Sequence, residues 1–231
     1  MKTIKRTATI FIAHLFFLSW SPEAQAGAAG LWIGQIAIDK VNEVGSTDTT
    51  TPKPVGKPFD MKMIVHSNAS GVVNLLREVI LMRQKSDQTS VLLTNTAALS
   101  STDYEGVVTR DGKLVGKRLS SAFFDYDTTL KTLPLTGSFA TGTISGTLTL
   151  TKTHPTNPFR HRYHPDHKND DASGITTTRD ITISFAPVTT QNVSDVTGTY
   201  TETITGVHKI PIKLSGSITL NQVSTVSTLV P

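Results

Sequence analysis

The segment from His154 to Asp171 is the densest concentration in this chain of side chains that can do chemistry. It holds His154, His161, His164, Asp166, His167, Asp170 and Asp171, interleaved with Arg160, Arg162 and Tyr163, and four of the chain's seven histidines. Imidazole nitrogen and carboxylate oxygen are ligands for zinc and other divalent metals at about 2 Å. His161, His164 and His167 recur at every third position, which aligns them along one side of a three-residue helix. Pro165 disfavours α backbone at His164. In an extended polyproline run, rising about 3.1 Å per residue, the three imidazoles would stand roughly 9 Å apart. A shared metal therefore requires a bend at Pro165-Asp166 or ligands brought in from elsewhere. His164 and Asp166 can offer two ligands from one side of an extended chain, and His154, His66 or His208 could complete the set. The expected ligands are His154, His161, His164, Asp166 and His167, with zinc or another divalent metal as the cofactor. No established zinc spacing is present: there is no H-E-x-x-H and, without cysteine, no C-x-x-C.

The same residues admit two other readings. One is an ordered surface loop in which Arg160 and Arg162 pair with Asp166, Asp170 or Asp171 and Tyr163 packs on a sheet. The other is a loop that binds anions or glycans. Connections of about 20 residues without their own secondary structure are uncommon in compact domains and are commonly functional or disordered. Phe159 and Tyr163 argue against simple disorder. Elsewhere the chain lacks a G-x-S-x-G elbow and a phosphate-binding glycine loop. Glu78, Asp125 and Glu202 are candidate acid–base carboxylates on presumed strands, with nothing in the sequence to pair them. Glu202 shares parity with Tyr200 and Ile204, so it is expected to face inward near an edge or barrel rim. Asn68-Ala69-Ser70 matches a glycosylation sequon, idle in a bacterial source. Trp32 is expected in the core.

Strands must position this loop. Thr, Val, Ile, Ser and Gly dominate, and long helical periodicity is missing; β-branched residues suit a pleated, half-buried surface. Leu31 to Val44 reads as a first strand. Phe59, Met61, Met63 and Val65 alternate with Asp60, Lys62, Ile64 and His66, and a return strand carries Val73, Leu75, Val79 and Leu81. The polar turn 67–71 between these two runs makes a hairpin signature. Residues 45–58, with Pro52, Pro54 and Pro58, read as a loop. Val91-Leu92-Leu93 reads as a short strand, 95–116 as irregular with a tight turn at Asp111-Gly112, and Lys117 to Phe124 as a return to the sheet. Ile144 to Leu150 and Leu214 to Leu220 share one pattern, either an internal duplication or two strands with similar needs. Ile175 to Phe185 and Thr197 to Ile204 complete the set. The reading is all-β: an antiparallel β-sandwich or barrel-like domain of roughly nine or ten strands with a long His-rich loop.

The N-terminus reads as a three-part secretory signal. Lys2, Lys5 and Arg6 precede the apolar run Ala8 to Trp20, and Ala24-Gln25-Ala26 offers a cleavage site. The expected organisation is a signal peptide over 1–26 and a single β-domain over 27–231, exported to the periplasm or the medium. A chain of this length can build a core without disulfides. The formal charge is +4, and part of it leaves with the signal peptide, so the balance gives no case for nucleic acid. A transmembrane β-barrel also shows alternating strands. Three features argue against one: aromatics make up 6% of the chain, too few for two interfacial girdles; no terminal aromatic strand closes the sequence; and several strands are shorter than a bilayer demands.

Asn157-Pro158-Phe159-Arg160-His161-Arg162-Tyr163-His164-Pro165-Asp166-His167 resembles a motif of an uncharacterised family of exported bacterial β-domains. Leu31-Trp32-Ile33-Gly34 and Gly198 to Gly206 are similar to segments of that family too. The resemblance covers most of the chain after the signal peptide and implies no activity or catalytic residues. The expected function is a non-enzymatic binding or structural module, with a cell-surface or glycan ligand as a candidate partner. The alternative is a metal-dependent hydrolase built on the His/Asp cluster.

Overall fold

The computed structural model describes residues 28–42, 51–127, 132–157, 174–190, 192–207 and 210–231. Among them are fifteen strands and one short 3₁₀ turn. The chain is all-β, and the choice between sandwich and barrel falls to the barrel.

Strands β1 (Gly30–Val41), β2 (Lys53–Ser67) and β3 (Val73–Leu76) form its first three staves. The chain then leaves through β4 (Glu78–Gln84), β5 (Ser90–Leu93), β6 (Tyr104–Gly106), β7 (Val108–Arg110), β8 (Lys113–Val115) and β9 (Lys117–Ser120). It returns with β10 (Thr132–Ser138), β11 (Thr143–Leu150), β12 (Thr177–Phe185), β13 (Asp195–Thr205) and β14 (Ile212–Ser224), and ends in β15 (Leu229–Val230). Each barrel strand pairs antiparallel with the barrel strand before it in sequence, and β14 closes on β1. The result is an eight-stranded up-and-down barrel with β4–β9 inserted between its third and fourth staves. Closure leaves the barrel no free sheet edge.

Period-two alternation decides which side chains face in. Trp32, Ile36 and Ile38 of β1, Met61, Met63 and Val65 of β2, Ile144 and Leu148 of β11 and Ile181 and Ile183 of β12 are buried in one cluster. Burying a side chain of this size stabilises by about 1.5–3 kcal/mol. The outward residues of β11–β14 are mostly hydroxyls; Ser145, Thr182, Thr201 and Ser215 lie side by side across four strands.

The two runs read as one return strand, Val73–Leu75 and Val79–Leu81, part at Arg77. β3 stays in the barrel, while β4 joins a second sheet with β5, β6, β9 and β15. That sheet packs on the outer wall, where Leu31, Ile64, Leu76, Val79 and Leu92 form a second apolar cluster. Residues 53–58 belong to β2 rather than to a loop. Pro54 sits opposite Lys40, and the register shifts between Ile38 and Lys40, so the prolines lie beyond the regular ladder. The 95–116 stretch contains β6 and the β7–β8 hairpin, which turns at Asp111 (φ 50°) and Gly112 (φ 73°). Residues 1–26 lie outside the described residues.

The two ends of the barrel differ. At one end the connections are short: β2–β3 turns at Asn68–Val72 and β10–β11 at 139–142. Here Trp32 stacks on Phe139 at 4.7 Å, Phe139 meets Phe185 at 5.4 Å, and Trp32 Nε1 donates to the Ala28 carbonyl at 2.9 Å. The other end carries the β1–β2 connection, the insertion between β3 and β10, and the 151–176 connection. The two limbs of the chemistry-bearing segment therefore leave the barrel at the end with the long connections.

Candidate functional site

At that end residues 121–127 run across the barrel mouth from the β2–β3 side to β11. Ser121 donates to the carbonyls of Arg77 and Lys62, and the Asp127 N–H reaches the Thr149 carbonyl at 2.7 Å. Between these points Phe124 and Tyr126 turn into the barrel and join its core. The Tyr126 hydroxyl donates to the Leu75 carbonyl at 3.0 Å, and burial pushes that phenol up to about 12. The strap plugs this end as Trp32 and Phe139 plug the other.

Polar contacts hold the strap from both sides. Arg77 bonds Asp125 at 3.0 Å and lies over the Tyr126 ring. Arg179, on the inner wall of β12, donates to the Phe123 carbonyl, covers the Phe124 ring at 4.9 Å and forms an ion pair with Glu202 of β13. Glu202 also accepts the Tyr200 hydroxyl at 2.8 Å. A buried carboxylate needs this much company, since charge without partners in an apolar interior is expensive. Burial opposes ionisation of Asp125, but hydrogen bonds from Thr156, Arg77 and the Tyr126 N–H outweigh it and leave the carboxyl below its usual range.

The base of the His-rich loop stands directly on this strap. His154 Nε2 faces Asp127 Oδ1 at 3.2 Å. Thr156 Oγ1 lies 3.0 Å from His154 Nδ1 and donates to Asp125 Oδ2 at 2.7 Å. Asp125, Thr156, His154 and Asp127 thus form one continuous polar chain. Asn157 is buried, and its Nδ2 donates to the carbonyls of Thr151 and Ile175, each at 2.8 Å. One amide therefore ties the outgoing limb of the loop to the returning limb.

Of the expected ligands, only His154 falls among the described residues, at the loop base beside Asp127. His161, His164, Asp166 and His167 lie outside the described residues, as does His208. His66 is buried opposite Leu31 at the start of β1, towards the other end of the barrel from His154. Among the described residues no group of three or more His, Asp or Glu side chains is placed to hold a metal. The three candidate carboxylates prove to be ion-paired, Glu78 with Arg118, Asp125 with Arg77 and Glu202 with Arg179. Asp125 sits in the strap rather than on a strand, and Glu202 faces inward at the rim as its parity predicts. Sequence reasoning missed Arg179. Its parity with Ile181 and Ile183 was a signal, because an inward arginine on one strand and an inward glutamate on the next call for each other.

No family model matches the chain, and no curated protein matches it.

Proposed function

We propose that this protein is an exported, non-enzymatic binding module that presents the 158–173 segment from one end of a filled β-barrel. The buried Asn157 amide, bonded to both limbs of the loop, carries this reading, because it fastens the two ends of a long connection to each other. The packed interior supports it: Phe124 and Tyr126 occupy one mouth and the Trp32 cluster the other, so ligands are met on the loops.

In this reading His161, His164, Asp166 and His167 take a divalent metal of the zinc class, and His154 joins them by exchanging its Nε2 contact with Asp127 for the ion. Imidazole and carboxylate are suited to such an ion. Among the described residues no helix is long and apolar enough to cross a membrane. The hydroxyl-rich outer wall of β11–β14, around an apolar interior, is the reverse of a lipid-facing barrel. That arrangement supports a protein which acts outside the bilayer after its signal peptide is removed.

Metal analysis of the purified secreted protein tests the proposal. Stoichiometric zinc, lost in both His164→Ala and His167→Ala while circular dichroism stays wild-type, supports it. Protein that takes up no metal from zinc-containing buffer leaves the metal site without support. Mass spectrometry of the secreted product should start it at Gly27.

A further inference from the structure

His66 is a fully buried histidine placed where no ligand-binding role needs it. It lies on β2 and faces out from the barrel wall, with Leu31 opposite on β1 and Asn74 on β3. Residues 225–231 cover it. Val226 and Leu229 pack into the Leu31, Ile64, Leu76, Val79 and Leu92 cluster, and His66 Nε2 lies 3.3 Å from the Val226 carbonyl. The segment continues as β15, parallel to β5. There the Leu92 N–H donates to Thr228 and the Thr94 N–H to Val230, both at 3.0 Å. A single stretch thus caps the histidine and completes the edge of the second sheet.

The ring's hydrogen bonding fixes its state. A carbonyl can only accept, so Nε2 carries the proton. Nδ1 is buried and has no partner. A second proton would create both a buried charge and a buried N–H without an acceptor, each costly. No side-chain charge nearby compensates. The same-face neighbours on β1, β2 and β3 are Leu31, Ile33, Ile64, Asn74 and Leu76, the second sheet offers Val79, Leu81 and Leu92, and residues 221–231 hold no ionisable side chain. Arg77 and Glu78, the nearest charges along β3 and β4, are engaged with Asp125 and Arg118. Burial correspondingly holds the imidazole below its ordinary value, against smaller opposing effects from the Val226 and Ser227 backbone.

We propose that residues 225–231 form an acid-released latch: protonation of His66 requires this segment to lift, which frees the β5 edge and the apolar wall beneath it. A freed edge presents unpaired backbone groups and can take another strand in the same place. The latch lies towards the opposite end of the barrel from His154 and stands whether or not the His-rich segment binds metal.

Amide hydrogen exchange on the full secreted chain tests this, with rates corrected for intrinsic pH dependence. Between pH 7.5 and pH 5 the amides of Leu92 and Thr94 should lose protection, by up to about tenfold per pH unit, while those of β11–β13 do not. His66→Gln keeps a neutral donor towards Val226 and should abolish the selective loss. NMR titration of the wild-type imidazole reads the same event without any substitution and should track the opening. Leu92 and Thr94 amides that stay protected at pH 5 would overturn the proposal, as would equal loss in His66→Gln or an imidazole that titrates without the segment moving.

Discussion

Arg179 and Glu202 form a two-pronged ion pair between neighbouring strands on the inner wall of the barrel, with Arg179 Nη2 donating to Glu202 Oε2 at 3.2 Å. The same guanidinium reaches the Phe123 carbonyl and lies over the Phe124 ring. It is the point at which the barrel wall holds the strap across its mouth. Removing the cation leaves the fully buried Glu202 side chain with only Tyr200 beside it, and breaking a buried pair in this way costs about 3–5 kcal/mol. Arg179→Ala should lower the urea midpoint accordingly. The double replacement Arg179→Met with Glu202→Leu should cost less, because no charge is stranded. A smaller effect for the single than for the double change would mean that the pair does not hold the mouth.

Stability should fall in two steps on acidification. His66 and Asp125 both have folded values below their ordinary ones, so the unfolded chain binds protons more readily and stability rises with pH. The His66 contribution is complete above 6.5 and fades as pH falls through the lower folded value. The Asp125 contribution is complete above 3.8 and fades below it. Urea midpoints measured from pH 8 to pH 3 check this, and His66→Gln and Asp125→Asn should each flatten their own step.

Gly216 lies where β14 crosses close to β1. A Cβ there would sit 1.9 Å from the Ala37 carbonyl oxygen, which is backbone and cannot swing away. Gly216→Ala should therefore spread the β1–β14 seam and destabilise by about 1–3 kcal/mol, the usual cost of overpacking. Gly56, with open space around its would-be Cβ, is the matched control and should tolerate alanine with little change in thermal midpoint.

Asn157→Ala should unfasten the loop without unfolding the barrel. It leaves the carbonyls of Thr151 and Ile175 without this donor, and an unpaired buried polar group costs about 1–3 kcal/mol. The expected result is faster proteolysis within 158–173, with amide protection in β13 and β14 unchanged. Cleavage at the wild-type rate would show that the amide does not restrain the loop.

Much of the architecture was legible because strand alternation is a local property. The inward set Trp32, Ile36 and Ile38, the hairpin at Asn68–Val72 and the turn at Asp111-Gly112 all follow from residue type and period. So did the inward direction of Glu202. Three features were not legible. The break at Arg77 between β3 and β4 leaves only a slight local mark, a single arginine on the parity of Val73, Leu75, Val79 and Leu81. The assignment of 53–58 to β2 went against the prolines, which are tolerated where the ladder is irregular. The role of 121–127 depends on a barrel mouth that exists only once eight strands have closed.

By itself, the sequence determined the all-β class, the parity of each strand and the location of the imidazole-rich segment. These depend on spacings of a few residues, which pleating converts directly into faces. Closure of the barrel, the plugging of its ends and the partners of its buried charges were decided only in three dimensions. Arg77 meets Asp125, Arg179 meets Glu202 and His66 meets Val226 across separations of 48, 23 and 160 residues. Sequence spacing carries no information about contacts of that kind until the strands between them have found their register.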